Sequence, residues 1–331
     1  MLSALRNNPG LQPYKNTAPA NPGFMRVLGL SINKVLAVRR VFSCQLAVLL
    51  FVALTSHPAW ATSRGAADIP SRWVVLDSTL AELVVALGGT ERIVGVVGGT
   101  EHLPIPQSAT RLEGYRIVAA EPIMSLNPDL VLIGSDRVMP QTIQQLRQSG
   151  VRVHQLGAEP DIPSLLKRLH ATAELLGAQR KAEELEQEFL SEMKVVEQWL
   201  QASLPSKRAR AIFVLAGGGR PTVVGGSGTF TGALLTLSGA VNVAAEAQGY
   251  KIISQETMLV AAPEFILTNE DGLSSDKDGQ PAVLSAPGLR MTPAARNQRI
   301  VALPGRHLQG FGLGLPDSIR LLARHIYPNL P

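Results

Sequence analysis

One tyrosine stands apart from the rest of the chain's few aromatics. Tyr115 lies in "RLEGYRIVAAEPIMSLNPDLVLIG" (residues 111–134), beside Arg116 and six residues before Glu121. Its phenol can donate or accept a hydrogen bond, and it can ligate a metal when deprotonated. By residue type alone, a loop tyrosine that merely packs fits the stretch as well. The second lone candidate is Tyr250, in "QGYKIIS". His102 follows a "GGTE" turn, His307 lies in "GRHLQGFG", and Arg220 closes a glycine run in "GGGRP". His154, His170 and His325 fall on strand or helix surfaces and receive no role.

Catalytic arrangements are missing. There is no G-x-S-x-G nucleophile elbow, no H-E-x-x-H and no cysteine pair. The run "VVGGSGTFTGALL" (223–235) lacks the lysine of a phosphate loop and reads as a turn and helix start facing a cleft. The carboxylates of "NEDGLSSDKDGQ" (269–280) do not have calcium-loop spacing and read as a mobile loop. An exported reductase or hydrolase would need one of these motifs, so the chain reads as a binder and not an enzyme.

A repeat frames the candidates. "AEPIMSLNPDLVLIG" opens on Glu121 and reaches Pro128 seven residues later; "QETMLVAAPEFILTN" does the same from Glu256 to Pro263. In both, the acid begins a short helix, where the positive helix end favours it. "ALGGTERIVGV" also aligns with "TLSGAVNVAAE". Gly89 precedes Glu121 by 32 residues and Gly239 precedes Glu256 by 17, so the first half carries about 15 extra residues and Tyr115 lies among them. An elaborated loop on a duplicated scaffold is where a ligand site is expected.

The elements that must position these residues alternate strand and helix. "RWVVLD" (72–77) reads as a strand and "STLAELVVALGG" as a helix capped by Ser78. "RIVGVVG", "PDLVLIG" and "VRVHQLG" are further strands, and the alternation implies an open, largely parallel sheet covered on both faces. "AQRKAEELEQEFLSEMKVVEQWLQA" (178–202) has neither Gly nor Pro and forms a rod of roughly 37 Å. Strand–helix alternation then resumes to a closing helix from Pro316 to about Ile326. The expected architecture is α/β: an N-terminal lobe over 72–177, a linking helix over 178–204, a C-terminal lobe over 207–331, and a ligand cleft between Rossmann-like lobes.

Residues 1–61 read as an export leader, with a basic stretch ending at Arg39-Arg40, the apolar run "LAVLLFVAL" and an A-x-A site near Ala61. Met25 is an alternative start, and the twin Arg fits an ordinary basic leader better than the export route for folded proteins. The leader holds six Lys or Arg and no acid. The net charge of +5 therefore leaves about −1 for the rest, which gives no general attraction for nucleic acid. The single cysteine, Cys44, falls in the leader, so no disulfide or thiolate site is expected beyond it.

An exported chain of two α/β lobes and one long helix resembles the substrate-binding proteins of bacterial ABC importers, of the type with a single helical backbone. "GY" before "AAE…SLNPDLVL", then "GALLTLSGAVNVAAEAQGYKIISQETML" and "LQGFGLGLP", are similar to the haemin-binding branch, over roughly residues 72–330. That resemblance implies a periplasmic, monomeric protein that carries haem b (haemin) to a permease and, through it, an ATPase. It implies Tyr115 as the axial ligand of the haem iron. A phenolate is a hard donor suited to iron(III), and a nearby cation such as Arg116 favours the deprotonated form. In that branch the Arg usually follows the Tyr by two residues; here Arg116 follows directly. Some relatives add a His from the region that here reads "VLAGGGRPTVV", which contains none, so Tyr115 is expected as the one protein axial ligand, with the opposite face open or closed by another side chain. His102, Arg220, Tyr250 and His307 remain as further haem contacts, with His102 the first candidate for a second ligand. Glu121 and Glu256 match the one acid per lobe that docks into Arg pockets of the permease. Cobalamin, an iron–siderophore or a bare metal ion are the rival cargoes.

Overall fold

A computed structural model describes residues 70–112, 119–134, 138–215, 223–275, 279–308 and 310–331. The leader with Cys44, and the candidates Tyr115, Arg116 and Arg220, lie outside the described residues.

The first lobe is a five-stranded sheet. Its strands are β1 (Trp73–Val75), β2 (Ile93–Val97), β3 (Thr110–Leu112), β4 (Leu130–Ile133) and β5 (Arg152–Gln155). They run in the order β3-β2-β1-β4-β5, all parallel. Every residue of β1 and β4 is buried, as expected of central parallel strands covered on both faces. The covering helices are α1 (Ser78–Ala86), α2 (Ala120–Met124), α3 (Pro140–Gln148) and α4 (Ile162–Leu176). α1 is capped by Asp77, whose carboxylate accepts the Leu80 N–H at 3.0 Å; the expected cap, Ser78, is instead the first helical residue. The stretch opening at Arg111, read from sequence as loop, begins within β3.

The second lobe holds β6 (Arg210–Leu215), β7 (Val223–Gly225), β8 (Val241–Asn242), β9 (Tyr250–Lys251), β10 (Phe265–Thr268) and β11 (Ile300–Ala302). The path is β11-β10-β6-β7-β9, with β8 on β6. This sheet is mixed, because β7 runs antiparallel to both β6 and β9. Its helices are α6 (Phe230–Leu237), α7 (Gln255–Ala261), α8 (Glu270–Leu273), α9 (Pro293–Arg296) and α10 (Leu315–Ile326). The acidic stretch expected to be a loop thus starts as α8.

Strand periodicity sorts the core. Trp73, Val75, Leu130 and Leu132 of the first sheet share one cluster with Phe213, Phe265 and Leu267 of the second. The alternate residues Val74, Val131 and Ile133 pack under α2 and α3, while Ile212, Val214 and Ile266 form a separate cluster with Met258 of α7. The shared cluster is closed by α5 (Gln179–Ser203), which joins the lobes. Only Ala182, Phe189, Val196 and Leu200 of its side chains are buried, a narrow stripe at near-heptad spacing. Each large side chain so buried contributes about 1.5–3 kcal/mol. His170 and Glu186 meet at 2.5 Å to tie α5 to α4, and Arg320 of α10 reaches Glu192 at 2.6 Å. Among the described residues no helix is long and apolar enough to cross a membrane.

Candidate functional site

In open α/β sheets, ligands bind beyond the carboxyl ends of the strands. Here the carboxyl-end segments of the two lobes meet. Residues 310–314, downstream of β11, lie across the start of α1, which follows β1. Gly310 sits so close to Thr79 that a Cβ would collide with the threonine hydroxyl, and a Cβ on Gly312 would collide with the Glu82 carboxylate. The Gly314 N–H donates to Glu82 Oε1 at 3.1 Å. From α4, Arg168 donates to the Phe311 carbonyl at 3.1 Å and, through Nε, to the Ser164 carbonyl at 3.3 Å. Arg168 is 2% exposed. The Phe311 ring stands edge-on to Phe230 at 6.0 Å. Gly310 and Gly312 of "GFGLG" are thus favoured by a close passage between lobes.

Burial drives the Glu82 carboxyl above its ordinary pKa, opposed by the Gly314 and Leu313 N–H groups and by Arg168. Arg168 is pushed down by its own burial, with Asp77, Glu159, Asp161 and Glu82 opposing. Glu82→Gln retains an acceptor for Gly314, whereas Glu82→Ala leaves that donor unmet. Urea unfolding at pH 7 should therefore place the alanine variant about 1–3 kcal/mol below the glutamine variant. With its pKa raised on folding, Glu82 binds a proton more readily in the folded than in the unfolded chain. Wild-type stability therefore falls as pH rises from the ordinary carboxylate value through the folded one. Glu82→Gln lacks that slope, so its advantage over wild type should grow with pH across the window.

His102 and His307 come to this junction. His102 is exposed in the segment after β2, and His307 lies in the segment after β11 with Nδ1 2.8 Å from the Ser318 hydroxyl. Burial lowers the His307 pKa, and the positive charges of Arg306 and His102 lower it further against the pull of Asp317. The neutral imidazole so favoured is the form that ligates metals. Tyr250 is built into the second sheet's edge, where its hydroxyl accepts from Thr231 at 3.4 Å and its ring stands edge-on to Phe213 at 6.3 Å. Its side is 44% exposed. Thr229 caps α6 beside it, so the glycine run of 225–228 does lead into a helix start. Among the described residues no group of three or more His, Cys, Asp or Glu converges to hold a bare metal ion.

The two acids occupy equivalent frameworks. Glu121 and Glu256 are both exposed in the first turns of α2 and α7. Ile123 and Met258, each two residues on, are buried anchors. A left-handed residue stands just before each proline: Ala262 at φ 39°, the C-cap of α7, before Pro263, and Asn127 at φ 46°, three residues past α2, before Pro128. Arg72 donates to the Leu126 and Asn127 carbonyls at 2.6 and 2.9 Å, and Arg210 donates to the Ala261 carbonyl at 2.8 Å. The acid after each proline then receives that arginine's own N–H: Asp129 from Arg72 at 3.0 Å and Glu264 from Arg210 at 3.1 Å. The Ser254 hydroxyl and the Glu256 N–H hold the Glu256 carboxyl below its usual range.

Glu82, Arg168 and the duplicated arginines were not identified from sequence. A signal existed for Arg168, a charge set beside Leu165 and Leu169 on the buried stripe of α4.

A solved periplasmic heme-binding protein from Pseudomonas aeruginosa is similar to this chain at a TM-score of 0.72 and 32% identity, covering 79% of this chain and 94% of that one. An uncharacterized ABC transporter substrate-binding lipoprotein of Bacillus subtilis, YvrC, is 25% identical over 264 residues, 78% of this chain and 81% of that protein. A cobalamin-binding protein of Halobacterium salinarum is 27% identical over 247 residues, 72% of this chain and 64% of that protein. Residues 74–307 match the family described as periplasmic binding protein, and the chain belongs to that family.

Proposed function

We propose that this protein captures haem in the periplasm and hands it to an ABC permease and its ATPase, without catalysing a reaction. In this reading the Tyr115 phenolate holds the ferric iron and Arg116 favours its deprotonated form. His102 or His307 approaches the opposite face, Tyr250 touches the porphyrin edge, and Arg220 pairs with a propionate. Glu121 and Glu256 dock on the permease.

The observation that carries the reading is one-sided elaboration of a duplicated scaffold. The α2 and α7 frameworks share an arginine-to-carbonyl bond and an arginine N–H-to-acid bond, yet the first half spends about 15 more residues between Gly89 and its acid than the second half does between Gly239 and its acid. Those residues include β3 and the segment with Tyr115. A tyrosine in the one piece that the scaffold does not need is suited to a cargo contact. The resemblance to the Pseudomonas heme-binding protein agrees with this.

Cobalamin is the second reading, favoured by the Halobacterium relative. Absorbance titrations separate the two. Haemin should bind one-sidedly against cyanocobalamin and develop a Soret band with a ferric tyrosinate charge-transfer band. Binding of cyanocobalamin with no haemin spectrum would replace the first reading by the second.

A further inference from the structure

The matched frameworks present unlike surfaces. In the first lobe, the residue four after Glu121 is Ser125, whose hydroxyl folds back to the Pro122 carbonyl at 2.8 Å. Met124 is half-buried, and its sulfur accepts from Ser149 at 3.2 Å. Among the described residues of α2, the two positions that flank Glu121 one turn on are thus satisfied from within. In the second lobe, the residue four after Glu256 is Val260, 84% exposed, and the residue three after it, Leu259, is also exposed. On a helix these positions neighbour the acid. Ile252, just before α7, is 67% exposed, and its counterpart Ile117 lies outside the described residues. The 289–291 turn packs beside α7, because Gly288 lies against Gln255 and Met258, and that turn adds Met291 at 59% exposure.

Nothing in the fold requires an apolar side chain at 260, since the equivalent position carries serine on the same scaffold. A β-branched residue there also has a lower helix propensity than most. Clustered exposed apolar residues around a charge mark a protein contact. The charge is anionic and fully exposed, and it is held ionised below the usual carboxylate range, which suits an arginine-bearing protein surface and disfavours anionic lipid.

We infer that the α7 face (Glu256, Val260, Leu259 and Met291) docks on the permease through apolar contact around the Glu256 ion pair, while α2, with Ser125 where α7 has Val260, docks chiefly through the charge of Glu121. The two lobes therefore play unequal parts: the second supplies a salt-resistant hold and the first a salt-sensitive one. This rests on the permease-delivery reading and not on which cargo is carried.

The test is binding of the full protein to the cognate permease–ATPase complex in lipid nanodiscs, at about 0.15 M and about 1 M salt, with empty nanodiscs of the same lipids as comparison. Burial of one exposed valine predicts that Val260→Ser weakens binding about tenfold at both salt levels. Glu121→Gln should weaken binding at low salt and lose most of that effect at high salt. Haemin titration of Val260→Ser should match wild type. The inference is overturned if Val260→Ser binds the complex like wild type, or if its loss appears equally on empty nanodiscs, which would make the patch a membrane contact. It is also overturned if sedimentation shows that Val260→Ser abolishes a dimer of this chain and not the permease complex. Wild type that takes up haemin but ignores the complex defeats the inference and the delivery step together, leaving the cargo assignment standing. Wild type that binds the complex through Val260 but refuses haemin leaves the inference standing and removes the cargo.

Discussion

Replacing Tyr115 by alanine is expected to weaken haemin binding by about 100-fold or more, since even loss of a group that merely supports a metal ligand costs 10–100-fold. That corresponds to about 2.7 kcal/mol of binding free energy. The Soret band should shift and the tyrosinate charge-transfer band should vanish. Tyr115→Phe separates coordination from ring contact: if the oxygen is the ligand, phenylalanine should bind as poorly as alanine. The melting temperature should hardly move, because the segment is anchored on either side by Leu112 and Ala120, both buried and both untouched. Unchanged affinity in a haemin titration would remove Tyr115 from the iron.

The paired variant Glu121→Ala with Glu256→Ala is expected to abolish delivery while leaving haemin affinity as it was. Truncating one partner of a charge pair across an interface weakens binding, so each variant should lose permease affinity at about 0.15 M salt, by roughly tenfold or more at Glu256. Both side chains are exposed, and neither is needed by the arginine–carboxylate frame beneath it, so the fold should persist. Because the Glu256 carboxyl sits below its usual pKa, its docking charge survives mild acidification. Transport assays with cells expressing the paired variant, set beside haemin titrations of the same protein, read the two properties separately. Normal transport would dismiss the docking role.

Most of the scaffold was legible because local patterns carry it. The long helix is visible as 25 residues (178–202) free of Gly and Pro, and the structure runs it from Gln179 to Ser203. The repeated Glu–Pro–acid pattern could be read because each copy is contiguous. Its reason could not, because Arg72 and Arg210 meet their partners 51 to 57 residues away. β3, β8 and β9 were missed because two or three residues are too few to show a period, and their pairing depends on neighbours. The antiparallel course of β7 was hidden for the same reason: strand direction is set by where the chain returns. At the site, His102 and His307 were singled out separately from their turns, and only the fold brings their charges within reach of one another. Glu82 and Arg168 escaped notice because their roles depend on a strap more than 140 residues further along the chain.

That strap changes how cargo can leave. A body bridged once swings freely about its bridge; bridged twice, by α5 and again by the Arg168–Phe311 and Glu82–Gly314 bonds, it has lost its easy axis. Opening wide then means stripping a buried guanidinium and a carboxylate of their partners, a cost that thermal breathing seldom meets. Under the proposed cycle, an undocked carrier keeps hold of what it has picked up, and the work of unloading falls to the motor across the membrane.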